Sequence, residues 1–174
     1  MASDFAQSLI ALLPRLRRFG LALTGSADAA DDLVQSACER ALRNREGFVP
    51  GTRLDSWMFR IMQNLWIDSR RQRSRRGSET NDEETLGMLA GDDGRRSTES
   101  ALTLTRVLAA MDTLPDDQRA VLVAVCVEGL SYRDTADLLG IPIGTVMSRL
   151  FRARRELGDR LDLPAGTQPI HGGD

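Results

Sequence analysis

Apolar residues recur at three- and four-residue spacing through nearly all of this 174-residue chain, a period that restricts it to helices. Phe5, Leu9, Leu12, Leu13, Leu16, Phe19 and Leu23 form the first stripe. Pro14 falls inside it, where a missing N–H and a bulky ring imply either a kink or a later helix start. Gly25 then breaks the pattern, and Ser26 is a good N-cap for a second helix with Ala30, Leu33, Val34, Ala37, Cys38 and Ala41 on one face. The opposite face of that helix shows Asp31, Asp32, Gln35, Glu39 and Arg43. Asn44 to Thr52 contains Gly47, Pro50 and Gly51 and reads as a loop. A long third helix follows, with Leu54, Trp57, Met58, Ile61 and Leu65 as its expected buried stripe, and it runs into an Arg-rich segment near Arg76.

From Gly77 the chain turns polar and acidic and holds too little apolar surface to fold alone, the composition of a flexible linker. Four helices are expected beyond it. Leu102 to Met111 is the first, and Pro115 suits the opening of a second that runs to about Glu128 and stops at Gly129. Ser131 caps a third, with Asp134 three residues on in the manner of a capping box, and Gly140 ends it. Ile141 to Gly144 make a tight turn before the last helix, Thr145 to Leu157. The expected architecture is therefore all-α: two small helical domains over residues 1–76 and 102–162, a flexible acidic linker over 77–101, and a disordered tail over 163–174.

Several function classes are excluded on the same grounds. With 41% apolar and 28% charged residues the chain can bury a core, and no stretch approaches the roughly 20 apolar residues a membrane span needs. No secretion signal is visible at the N-terminus, so a cytoplasmic protein without membrane insertion is expected. Cys38 and Cys126 read as small buried hydrophobes, and the one histidine, His171, sits in a Gly-rich tail, so no metal site is expected. Neither a phosphate-cradling Gly-rich loop nor a nucleophile elbow appears. The chain reads as a non-enzyme with no cofactor.

Its net charge of −2 hides a segregation that points to nucleic acid. Arg60 to Arg76 holds six Arg against Asp68, and Thr145 to Arg160 holds five Arg against Glu156 and Asp159. Between them, Gly77 to Ala101 holds seven acids against Arg95 and Arg96. Two basic blocks separated by an acidic one suit two DNA-facing surfaces. All 23 basic residues are Arg, whose fork matches phosphate and guanine, although GC-rich coding bias explains the absence of Lys equally well. Ser131 to Leu157 has the order of a helix-turn-helix, whose second helix enters the major groove. Thr145, Ser148, Arg149 and Arg152 would point outward there, with Val146, Leu150 and Ala153 toward the core. In the third helix, Trp57, Phe59 and Trp66 interleave with Arg60, Asn64, Arg70, Arg71 and Arg73, a pattern that suits stacked single-stranded DNA, although Trp57 and Trp66 also read as ordinary core residues, Trp57 on the apolar stripe above all.

The segment LPDDQRAVLVAVCVEGLSYRDTADLLGIPIGTVMSRLFRARREL resembles the promoter-binding C-terminal domain of extracytoplasmic-function (ECF) sigma factors, group 4 of the major bacterial sigma family. DAADDLVQSACERAL is similar to that family's polymerase-binding helix, and WMFRIMQNLWIDSRRQRSR to its promoter-opening helix. The resemblance implies that the two domains are sigma region 2 and sigma region 4, and that core RNA polymerase and promoter DNA are the partners. It places Asp31, Asp32, Gln35 and Glu39 on the clamp helices of the polymerase's largest subunit. It gives the loop from Asn44 to Arg53 the capture of a base flipped from the minus-ten element, with Asn44, Phe48 and Arg53 available and Arg60, Asn64, Arg70, Arg71 and Arg73 following on the next helix. Thr145, Ser148, Arg149, Arg152 and Arg155 fall on the minus-thirty-five element. A cognate anti-sigma factor is implied on resemblance alone. Two other readings fit parts of the pattern: a polymerase-independent duplex-binding regulator, and a sigma-like adaptor that only sequesters a partner.

Overall fold

The computed structural model describes residues 2–75 and 96–162, and every regular element among them is helical. The chain divides into two compact units, Met1–Thr85 and Leu86–Asp174.

The first unit contains α1 (Ala2–Thr24), α2 (Ala27–Arg43) and α3 (Leu54–Arg75), each packed against the other two. Pro14 does not delay α1, which starts at Ala2 and continues through it. Pro14 is exposed, and Ile10, whose carbonyl loses its helical partner to the proline, is 63% exposed, so water can serve that carbonyl. Leu16, Phe19 and Leu23 of α1 meet Ala37 and Ala41 of α2 and Met58, Phe59 and Met62 of α3 in a fully buried core. The Phe19 and Phe59 rings lie 4.5 Å apart between centroids. Gly20 lets α2 and Met62 of α3 come close to α1: a Cβ there would stand 3.3 Å from both the Ala30 carbonyl oxygen and Met62 Cε. Ser26 Oγ accepts from the Ala29 N–H as the N-cap of α2, and the apolar face of that helix is buried as its spacing predicts, with Cys38 half-buried.

The buried arc of α3 is turned from the expected one. Met58, Phe59, Met62, Gln63 and Trp66 are buried, whereas Leu54, Trp57, Ile61 and Leu65 are only half-buried. Because α3 contacts α1 and α2 together, its inward direction is set between two neighbours, and the apolar period shows that a stripe exists without fixing which edge of it lies deepest.

The second unit contains α4 (Arg96–Asp112), α5 (Asp116–Leu122), α6 (Tyr132–Leu139) and α7 (Ile143–Arg160). The last turn after α5 widens to π geometry over Val123–Val127. This widening turns Cys126 outward, so it is exposed and not a core hydrophobe. The expected linker over 77–101 lies outside the described residues up to residue 95, and from Arg96 it is already helix. That first turn and a half is polar, so no apolar period marked it. The tail at 163–174 lies outside the described residues. Arg119 is fully buried and its Nη1 meets Asp112 at 2.6 Å, fastening α5 to the end of α4. Gly140 closes α6 in the left-handed region at φ 65°, and α7 starts at Ile143, two residues earlier than expected, because the Pro142 carbonyl accepts from the Thr145 and Val146 N–H groups. Leu150 is 2% exposed at the centre of α7. Leu150→Ala is expected to cost about 2–5 kcal/mol, read as a lowered urea midpoint with unchanged slope.

Candidate nucleic-acid interface

In the second unit, Ser131 Oγ accepts from the Asp134 N–H at 3.0 Å and fixes the start of α6. The Gly140 turn then delivers α7 against α5 and α6. Val146, Leu150 and Ala153 point into the core, as their spacing predicts, leaving Ser148, Arg152 and Arg155 open to solvent. Thr145 is half-buried. Arg149 departs from the expected outward set. Its side chain is 28% exposed and its Nε lies 2.9 Å from a carboxylate oxygen of Asp117 in the first turn of α5. Arg154 lies against Cys126 Sγ at 3.4 Å and Arg160 pairs with Glu156 at 3.0 Å, so α7 divides its arginines between the protein and the solvent. Sequence reasoning missed Ile143, Met147 and Phe151, which are 49%, 53% and 67% exposed. The signal was present: these three large apolar residues recur every four positions, off the Val146–Leu150–Ala153 stripe.

In the first unit, Asp31, Asp32, Gln35 and Glu39 all stand exposed on one face of α2. Asp31 pairs with Arg17 of α1 at 3.0 Å, and Glu39 accepts from Gln35 and Arg43, each at 3.2 Å. Asp32 also lines an open groove of about 710 Å³ between α2 and the C-terminal half of α3, where Leu33, Leu65 and Trp66 meet Arg71, Arg73 and Arg75.

The loop between α2 and α3 begins at Asn44, whose N–H bonds Arg40 O and whose carbonyl accepts from Gly47 N–H to start a 3-10 turn. Phe48 is half-buried and packs on Phe5 at 5.8 Å and Trp57 at 5.5 Å, so its ring belongs to an aromatic cluster. Arg53 grips Asp55 with two hydrogen bonds, Nε to one oxygen at 3.2 Å and Nη2 to the other at 2.9 Å. Arg15 of α1 reaches the same carboxylate at 2.5 Å while its guanidinium lies 5.1 Å from the Phe59 ring centre. Burial would raise the pKa of Asp55, but hydrogen bonds from Arg53, the Ser56 N–H and Arg15 outweigh it and hold the value down to about 2.

Along α3, Arg60, Asn64, Arg71 and Arg73 are exposed, and Arg70 is half-buried with its guanidinium 6.0 Å from the centre of the Trp66 ring. Arg60, Asn64 and Arg71 share a helical face, while Arg70 and Arg73 lie farther round. The interleaved aromatics do not form the expected stacking platform. Phe59 and Trp66 are core residues and Trp57 is half-buried in the Phe5–Phe48 cluster, because the three-helix core takes the bulky rings first. Among the described residues no His, Cys, Asp and Glu side chains gather into a group that could hold a metal, and no helix is long and apolar enough to cross a membrane.

The second unit, a helix-turn-helix with an open basic face, and the first unit, with exposed arginines beside an exposed acidic helix face, define the class of a bipartite helical DNA-binding protein. Family models for sigma-70 region 2 and sigma-70 region 4 match residues 9–76 and 104–157. The chain is 39% identical to the ECF RNA polymerase sigma factor EcfG of Rhodopseudomonas palustris over 157 residues, covering 90% of this chain and 84% of that one. Among solved structures it is similar to the sigma factor RpoE of Bartonella quintana in complex with the anti-sigma factor NepR (31% identity, TM-score 0.77, 92% and 98% of the two chains). It is also similar to CnrH in complex with the cytosolic domain of CnrY (25% identity, TM-score 0.65, 94% of each chain). The chain belongs to the ECF sigma factors of the sigma-70 family, alternative sigma subunits that bind core RNA polymerase and direct promoter-specific transcription initiation.

A pH prediction follows from Asp55. Because its folded-state pKa lies below the ordinary 3.8, its stabilising effect is complete above about pH 5 and is lost as pH falls toward 2. Asp55→Asn is expected to lose about 1–2 kcal/mol at pH 7, less than the whole shift would give because part of the cluster faces water. Urea unfolding should show that difference shrinking between pH 4 and pH 2.

Proposed function

We propose that the second unit reads the minus-thirty-five element with α7, while the first unit holds the polymerase through α2 and opens the minus-ten element with the loop 44–53 and α3. The observation that carries this reading is the two-sidedness of α7: Val146, Leu150 and Ala153 are buried, and Ser148, Arg152 and Arg155 are open to solvent. Arg152 is suited to guanine, Ser148 to either base edge, and Arg155 to phosphate. Thr145, half-buried at the start of the helix, and Arg149, at its flank, complete the set. Phe151, with 67% of its surface exposed, extends the set as an apolar group for a thymine methyl.

On α2 the exposed Asp31, Asp32, Gln35 and Glu39 present a polar face to the polymerase clamp. The ion pairs of Asp31 with Arg17 and of Glu39 with Arg43 are solvent-exposed, worth about 0–1 kcal/mol each, and so exchange readily for intermolecular ones. In the loop, Asn44 is exposed at the rim and Arg53 is held by Asp55, a pre-set edge for a flipped base, while Phe48 supports the loop from within. Arg60, Asn64, Arg70, Arg71 and Arg73 line the path of the melted strand and its flanking phosphates. No residue takes part in covalent chemistry; phosphoester formation belongs to the polymerase, and the protein acts in the cytoplasm where that enzyme is. Control by an anti-sigma factor is supported by the relative solved with NepR.

The test is transcription by purified core polymerase on fragmented genomic DNA with and without this protein. New RNA starts sharing two short upstream elements are expected. Absence of new starts, while a control sigma is active on the same polymerase, would leave a duplex-binding regulator or an adaptor. Arg152→Ala is expected to lose about tenfold to a hundredfold of the discrimination at one base of the upstream element in the same assay.

A further inference from the structure

Of the five arginines between Thr145 and Arg160, Arg149 is held across helices by a carboxylate. Its Nε faces a carboxylate oxygen of Asp117 at 2.9 Å. A carboxylate facing Nε biases the guanidinium toward one placement and leaves the terminal amines, the two-toothed edge that fits guanine O6 and N7, pointing away from it. The same carboxylate changes what else Arg149 can do. Asp117 is 49% exposed beside it, so a DNA phosphate approaching Arg149 also meets a like charge, whereas the edge of a base does not.

Ion pairs this exposed contribute little to stability, and α5 and α7 are already joined through buried residues that include Val121, Val146 and Leu150. The pair therefore adds little to the fold, and its effect falls on which placement of the Arg149 side chain is favoured. We infer that Asp117 is a positioning residue for promoter specificity: it confines Arg149 to reading a base of the minus-thirty-five element and disfavours its use as a phosphate clamp. This rests on the reading of α7 as the minus-thirty-five helix and adds a second helix, α5, to the determinants of its preference.

The experiment uses the full chain with core polymerase and a duplex library randomised across the minus-thirty-five region. Bound sequences are counted for the unaltered protein, Asp117→Asn, Asp117→Ala and Arg149→Ala, alongside thermal midpoints and the salt dependence of binding to non-promoter duplex. Asp117→Asn is expected to reduce the preference at one position about tenfold, at the same position where Arg149→Ala abolishes it, with the other positions and the thermal midpoint unchanged. Non-promoter binding should tighten, with its log–log salt slope steeper by roughly 0.9, one added phosphate contact. A uniform loss across all positions together with a lowered midpoint would overturn the proposal in favour of a structural tie. Unchanged preferences in Arg149→Ala would overturn it as well, while leaving α7 as the reader through Arg152. An unaltered protein that selects no upstream sequence at all would instead overturn the reading on which the proposal stands, and would do so before any variant is compared.

Discussion

One narrow apolar stripe on α7 governs the second unit. Val146, Leu150 and Ala153 must leave water, and once they do, the rotation of the helix about its own axis is settled. Every other side chain on it then has an assigned direction: Ser148, Arg152 and Arg155 outward, Arg149 toward α5, Arg154 toward Cys126. A small domain cannot spare a helix for DNA alone, so the one that reads must also be core. Its core residues are modest in size and its outward ones long, which keeps the buried side thin and the open side extended.

The same economy shows in how arginines are held. Asp55 gathers Arg53 and Arg15, Asp112 receives the buried Arg119, and Asp117 faces Arg149. In each case a short, stiff aspartate narrows the rotamers open to a long cation, and the planar fork of arginine fixes the direction of the contact. In the first unit this ties the loop to α1 and α3 together, since Asp55 bonds residues from both sides of the core. If the loop captures a base as proposed, it needs such anchorage, because unstacking a base is costly and a floppy receiver would add its own ordering entropy.

What could be read from the residues alone was mostly what neighbours along the chain decide. The Ser26 and Ser131 caps, the Gly140 stop and the apolar face of α2 depend on residues within about a turn, and they stand where the spacing placed them. The depth of each residue on α3 depends on two packed helices, so its stripe was found but its phase was off, and Phe59 and Trp66 went to the core. The pairing of Arg149 with Asp117 and of Arg15 with Asp55 joins residues far apart in sequence, and nothing local distinguishes those aspartates from solvated ones. Phe48 was visible as an aromatic in a loop, while its place beside Phe5 and Trp57 required the tertiary fold.

The widened turn at Val123–Val127 is, in effect, a spare residue held inside a helix. A π turn closes its hydrogen bond over five residues where an α turn closes it over four, and so accommodates one more residue, as in the bond from the Glu128 N–H to the Val123 carbonyl. Taking that residue out would not simply shorten the chain. It would turn the exit of α5 by about 100°, and with it the Ser131 cap and the helix pair that follows. The unit thus carries one residue more than an α turn would hold there, and the direction of α6 and α7 is set upstream of both.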